Sequence, residues 1–164
     1  MKFNLYLFLF FLLFFKNAFG SNSVIAIVDG DVLTTNQLYL TIDKNEDKLK
    51  KLAALDKLIN EQIENIKIKE YDIQPTELAI NDQLVRLAKK NNLTIDQIKS
   101  ATNYNQLLIQ INYKISKLAL FEIIVNSNKN KQGTIKVQSN EEIYSNWLKN
   151  IRKNTFIVIY EEKL

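Results

Sequence analysis

Across 164 residues the chain carries 22 Lys and Arg against 18 Asp and Glu, a formal net charge of +4, and it has neither cysteine nor histidine. The absence of Cys excludes a disulfide framework, a redox motif and a thiolate nucleophile; the absence of His excludes the usual general base, the Ser-His and Cys-His pairs and the common zinc sites. The remaining carboxylates, lysines, tyrosines and serines form no recognisable catalytic, cofactor or metal motif, so the composition points away from an enzyme.

The first twenty residues differ from everything after them. Lys2 supplies a positive start, Phe3 to Phe15 is almost unbroken Leu and Phe, and Ala18-Phe19-Gly20 places small residues at minus three and minus one before Ser21. This pattern predicts a cleavable signal peptide over residues 1–20 and an exported mature chain over 21–164. The alternative is an uncleaved anchor, but a membrane-spanning helix needs about 20 apolar residues, and Lys16 and Asn17 interrupt this run. Loss of Lys2 and Lys16, with no acid, leaves a net +2 over the remaining 144 residues, a length suited to one domain. The bases are not gathered into one long cluster, so no nucleic-acid partner is expected.

The mature chain opens with the β-branched run Val24 to Val28, then Asp29-Gly30, then Asp31-Val32-Leu33. Asp-Gly between apolar runs predicts a hairpin, because a type I′ turn needs positive φ at both central positions. The turn also accounts for Asp29 and Asp31 without a bound cation. Thr34 or Thr35 can cap a short helix to about Ile42, with Gln37 in capping-box position. From Asp47 to about Glu70, Leu52, Leu55, Ile59, Ile63 and Ile66 recur at three- and four-residue steps, with Lys50, Lys57, Glu61 and Glu64 between them, which predicts a long amphipathic helix.

Pro75, the one proline, reads as the first position of the next helix, followed by Glu77 and running to about Lys90 with Leu78, Leu84, Val85, Leu87 and Ala88 inward. Thr94-Ile95-Asp96-Gln97 is a capping box opening a short helix that carries Ile98. Tyr104 to Val125 predicts another long helix, with Leu108, Ile111, Ile115, Leu118, Phe121 and Val125 near one stripe. Residues 127–138, rich in Asn and Lys and containing Gly133, read as a linker, with a short apolar stretch from Thr134 to Val137. Ser139-Asn140-Glu141-Glu142 is a further capping-box pattern, opening a helix with Ile143, Trp147, Leu148 and Ile151 on one face; Trp147 reads as a core anchor. Thr155 to Tyr160 then reads as a strand. Its one evident partner is the N-terminal hairpin, so the two ends of the mature chain are expected to meet in a small antiparallel sheet. The fold class is therefore mainly α, a small domain of about five to six helices with that sheet.

Leu58-Ile59-Asn60-Glu61-Gln62-Ile63, the apolar helix after Pro75, and above all Lys90 to Ile98 resemble, in order and spacing, the N-terminal module of the SurA-like periplasmic chaperones, of the parvulin-type peptidyl-prolyl isomerase superfamily. The likeness covers about Val24 to Val125, within a module of residues 21–126. Trp147 in a helix followed by Thr155 to Tyr160, within residues 139–164, is similar to the C-terminal helix and strand of that family. In the family, parvulin domains stand between these parts; here the linker 127–138 occupies their place. A chain without histidine also lacks what a parvulin site is usually built around.

The resemblance implies a minimal chaperone core in the periplasm that holds unfolded outer-membrane or secreted polypeptides, without isomerase catalysis and with no small-molecule substrate. The membrane would be touched only through an uncleaved signal segment. An alternative from another class is a periplasmic or anchored assembly subunit that binds one fixed partner. A holdase needs apolar surface left uncovered by its own fold, and the apolar positions in surplus on the helices are Ile66, Ile80, Tyr104, Tyr113, Leu120 and Phe121. Those six are the expected peptide-binding residues, with core packing as the competing role for each. Tyrosines suit client contact because they combine an apolar face with a polar tip.

Overall fold

The computed structural model describes residues 22–129 and 138–164. The expected signal segment and the stretch Thr134 to Val137 lie outside the described residues. In chain order the elements are β1 (Val24–Val28), β2 (Asp31–Thr34), α1 (Thr35–Tyr39), α2 (Lys48–Glu70), α3 (Glu77–Asn91), α4 (Ile95–Lys99), α5 (Tyr104–Lys129), α6 (Asn140–Asn154), β3 (Ile157–Ile159) and a closing 3-10 turn (Glu161–Lys163). The protein is thus mainly helical, with six α-helices and one small antiparallel sheet among the described residues. None of these helices is long and apolar enough to cross a membrane.

The sheet forms as the Asp-Gly signal requires. Asp29 and Gly30 take φ of 47° and 92°, and β2 pairs antiparallel with β1. On the other side of β1 lies β3, also antiparallel, in the order β2-β1-β3. The two ends of the described chain therefore do meet. Asp29 fixes this junction further: its N–H donates to the Phe156 carbonyl at 2.9 Å, and its carboxylate accepts from the Phe156 N–H at 2.8 Å. Asp31 accepts from Gln62 Nε2 at 2.6 Å, so both turn carboxylates are hydrogen-bonded.

Helix ends follow local chemistry. Both Thr-x-x-Gln capping boxes are closed, Thr34 with Gln37 and Thr94 with Gln97, while Ser139 accepts from the Glu142 N–H at 3.1 Å. The helices α2 and α3 end on left-handed residues, Asp72 (φ 49°) and Asn92 (φ 55°), types whose short polar side chains tolerate that conformation. Several boundaries differ from expectation. Thr76, not a residue before Pro75, caps α3 through the Ala79 N–H at 3.2 Å, so Pro75 sits just outside the helix. The helix α5 continues to Lys129, into the interval expected to be linker, and α1 stops at Tyr39. The final strand is three residues long, Ile157, Val158 and Ile159 pairing with Val28, Ile27 and Ala26.

Three apolar clusters hold the fold. The largest joins the sheet and α1 (Ile25, Val28, Leu33, Leu38) to α2 (Leu55, Ile59, Ile63), with Leu148 and Ile151 of α6 against it. A second ties α3, α4 and α5 through Leu84, Ala88, Ile98 and Ile111. The third lies where α5 meets α6, around Leu120, Ile124 and Tyr144. The C-terminal helix thus packs on both long helices, and its contacts position the surfaces described next.

Candidate functional site

The interior of the helical layer contains a buried carboxylate. Glu64 is only 2% exposed; its carboxylate accepts from Tyr113 Oη at 2.8 Å and from Tyr144 Oη at 3.0 Å, and pairs with Lys117 Nζ at 2.7 Å. The helical pattern places Glu64 among the outward polar residues of α2, and the structure corrects this. Burial of a carboxylate is tolerable where donors satisfy it, and α5 and α6 bring three donors to one side chain.

The same face of α2 carries a row at four-residue steps, Asp56, Asn60 and Glu64, and α6 runs antiparallel along it. Arg152 donates to Asp56 Oδ1 at 2.6 Å and to Asn60 Oδ1 at 2.5 Å. Eight residues separate Asp56 from Glu64 and eight separate Arg152 from Tyr144, so the two ends of this polar seam are in register. Burial, and then the adjacent Glu64 carboxylate, push the phenols of both Tyr113 and Tyr144 well above the usual tyrosine range. The folded state therefore keeps two protons that the unfolded chain releases above about pH 10. Their contribution to stability is complete below that pH and is lost as pH rises through the folded values. In an alkaline titration followed by phenolate absorbance, these two tyrosines are expected to ionise only together with unfolding.

Beside this node lies a groove between α3 and α5. At its α6 end a hollow of about 510 Å³ is lined by Ala79, Asp82, Gln83 and Arg86 from α3, by Lys114, Ile115, Lys117, Leu118 and Phe121 from α5, and by Tyr144. It shares Gln83, Arg86 and Lys114 with a second hollow of about 340 Å³, which in turn shares Leu87, Leu107 and Gln110 with a third of about 300 Å³ reaching α4. The three form one channel along the α3–α5 seam. A larger depression of about 790 Å³ over the end of α6 and β3 is lined by polar and charged residues apart from Ile157 and holds no aromatic side chain.

The floor of the groove is aromatic and aliphatic. Phe121 and Tyr144 pack as tilted rings with centroids 5.1 Å apart, Tyr144 and Trp147 likewise, so the aromatic wall is anchored in the third cluster. Leu118, within the groove, is 59% exposed. On α3, outside the lining of the groove, Leu78 (72% exposed) and Val85 are also open to solvent, although the periodicity places both inward. The reason is that α3 has a wider apolar face than α4 and α5 cover.

Of the six residues expected to bind peptide, Phe121 lines this groove. Tyr113 spends its hydroxyl on Glu64, and Leu120 is fully buried in the third cluster. Ile66 packs against the first cluster, and Ile80 and Tyr104 against the second. Five of the six are therefore spread over three cores, and the sixth, Tyr113, sits at the Glu64 node. Leu118, Tyr144, Arg86, Lys114 and Lys117 belong to the groove without having been singled out for it. An apolar residue such as Leu118 flanked by Lys114 and Lys117 is the one local signal of a wetted edge.

No family model matches the chain, and no curated protein matches it. Among solved structures, the chain is similar to one described with "The virulence factor PEB4 and the periplasmic protein Cj1289 are two structurally related SurA-like chaperones in the human pathogen Campylobacter jejuni", at 25% identity and a TM-score of 0.47 over 65% of this chain. The match spans 43% of that other chain, less than half its length.

Proposed function

We propose that this protein is a periplasmic chaperone of SurA-like type, a holdase that keeps unfolded outer-membrane or secreted polypeptides from aggregating and performs no isomerase catalysis. The observation that carries the reading is the α3–α5 groove, whose apolar floor, with Leu118 59% exposed, stays open to solvent among the described residues. An uncovered apolar surface of this kind is costly to keep unless it is used. A channel with an aromatic wall suits extended chain segments better than a compact small molecule. The likeness of Lys90 to Ile98, and of Trp147 with Thr155 to Tyr160, to SurA-like chaperones supports the same reading and, with the signal-like residues 1–20, the periplasmic location.

The test is light scattering of an unfolded outer-membrane β-barrel protein diluted from urea with the purified protein present. Suppressed aggregation is expected for several unrelated clients. Leu118→Gln, at an exposed site, should leave the fold intact and weaken suppression severalfold, since burying a leucine side chain is worth about 2 kcal/mol. No suppression at several-fold excess would overturn the holdase reading and favour a subunit with one fixed partner.

A further inference from the structure

Taking the groove as a polypeptide site, we propose that it selects extended segments in which acidic residues alternate with aromatic or branched apolar ones. The charge of its rim carries this inference. Arg86, Lys90, Lys114 and Lys117 line it against a single acid, Asp82. Lys117 is committed to Glu64, but Arg86, Lys90 and Lys114 make no ion pair among the described residues.

This excess is local. The described residues contain as many Asp and Glu as Lys and Arg, 18 of each, so the protein around the groove is balanced and the positive field belongs to the channel. Like-signed charge along a cleft with apolar walls focuses that field on whatever enters. The occupant that satisfies both features carries negative charge at the height of the rim and apolar side chains at the floor.

An extended chain supplies this by geometry. Successive side chains of a strand point to opposite faces, so one set enters the floor between α3 and α5 while the intervening set reaches the rim. From Ala79 to Asn91, the α3 span of the three hollows, the helix rises roughly 18 Å, room for about five extended residues. Five positions hold two or three apolar anchors with acids between them, which matches the three unpaired bases.

The test is fluorescence anisotropy of labelled peptides with the purified protein: one alternating Glu with Phe or Val, one with Lys in place of each Glu, and one with Ser in place of each apolar residue. At low ionic strength the Glu peptide should bind about tenfold tighter than the Lys peptide, and the gap should close at about 0.5 M salt, where screening shortens to a few Å. The Ser peptide should bind weakly, and Arg86→Glu with Lys114→Glu should reverse the order of Glu and Lys peptides without changing the melting profile by more than a degree or two. Equal affinity for the Glu and Lys peptides, or an order indifferent to the double variant, overturns the selectivity while leaving the chaperone reading in place. Binding to none of the peptides by a protein that still suppresses aggregation overturns the groove as the site. Association with anionic vesicles that the Glu peptide does not displace assigns the field to a membrane surface and overturns the proposal as well.

Discussion

Glu64→Ala is expected to destabilise the protein by about 2–3 kcal/mol, because it strands two partly buried phenols and removes the partner of Lys117. The Lys117 share is small, since its side chain is 41% exposed and can recover water. For a domain of this size the loss corresponds to a fall in melting temperature of roughly 6–15 °C. Glu64→Gln keeps one acceptor and the side-chain volume but loses the charge paired with Lys117, so it should cost about half as much. Thermal unfolding followed by circular dichroism measures both. A change below about 0.5 kcal/mol for Glu64→Ala would mean that α6 is held by its apolar face alone.

The second large effect concerns the C-terminal segment. A chain ending at Lys129 loses Tyr144, the Arg152 bridge to Asp56 and Asn60, and β3, the neighbour of β1. It also uncovers Leu120 and Ile124, which are buried in the intact protein, and it leaves β1 with a free edge of unpaired backbone groups. No cooperative thermal transition is expected from such a chain, and aggregation should replace it. A truncated protein that melts at the temperature of the intact one would show instead that the helices α2 to α5 are self-sufficient and that α6 merely rests on them.

Much of this architecture is written locally. Asp29-Gly30 demands a turn with two positive φ values, and Thr34 with Gln37 and Thr94 with Gln97 start helices within four residues of chain. The meeting of the two ends followed from the physical weakness of a lone strand at Thr155 to Tyr160. Periodicity gives a face but not what will lie against it. Glu64 looked solvated because a carboxylate on an amphipathic helix usually is. It is buried because Tyr144, 80 residues further on, arrives beside it. The matching eight-residue spacings of Asp56 with Glu64 and Tyr144 with Arg152 encode that seam, and they become legible once α2 and α6 are known to be neighbours. Leu78, Val85 and Leu118 depart in the opposite direction: all three lie on apolar stripes yet are exposed, and of them Leu118 lines the groove.

The central claim is that the α3–α5 groove holds unfolded chains. Site-specific photo-crosslinking tests it most directly, with the crosslinker placed at exposed Leu118 in the groove and, for comparison, at exposed Leu40 after α1. Crosslinks from position 118 to several unrelated unfolded barrel proteins, with few from position 40, are the predicted result; equal labelling from both positions, or capture of one folded protein alone, would contradict it.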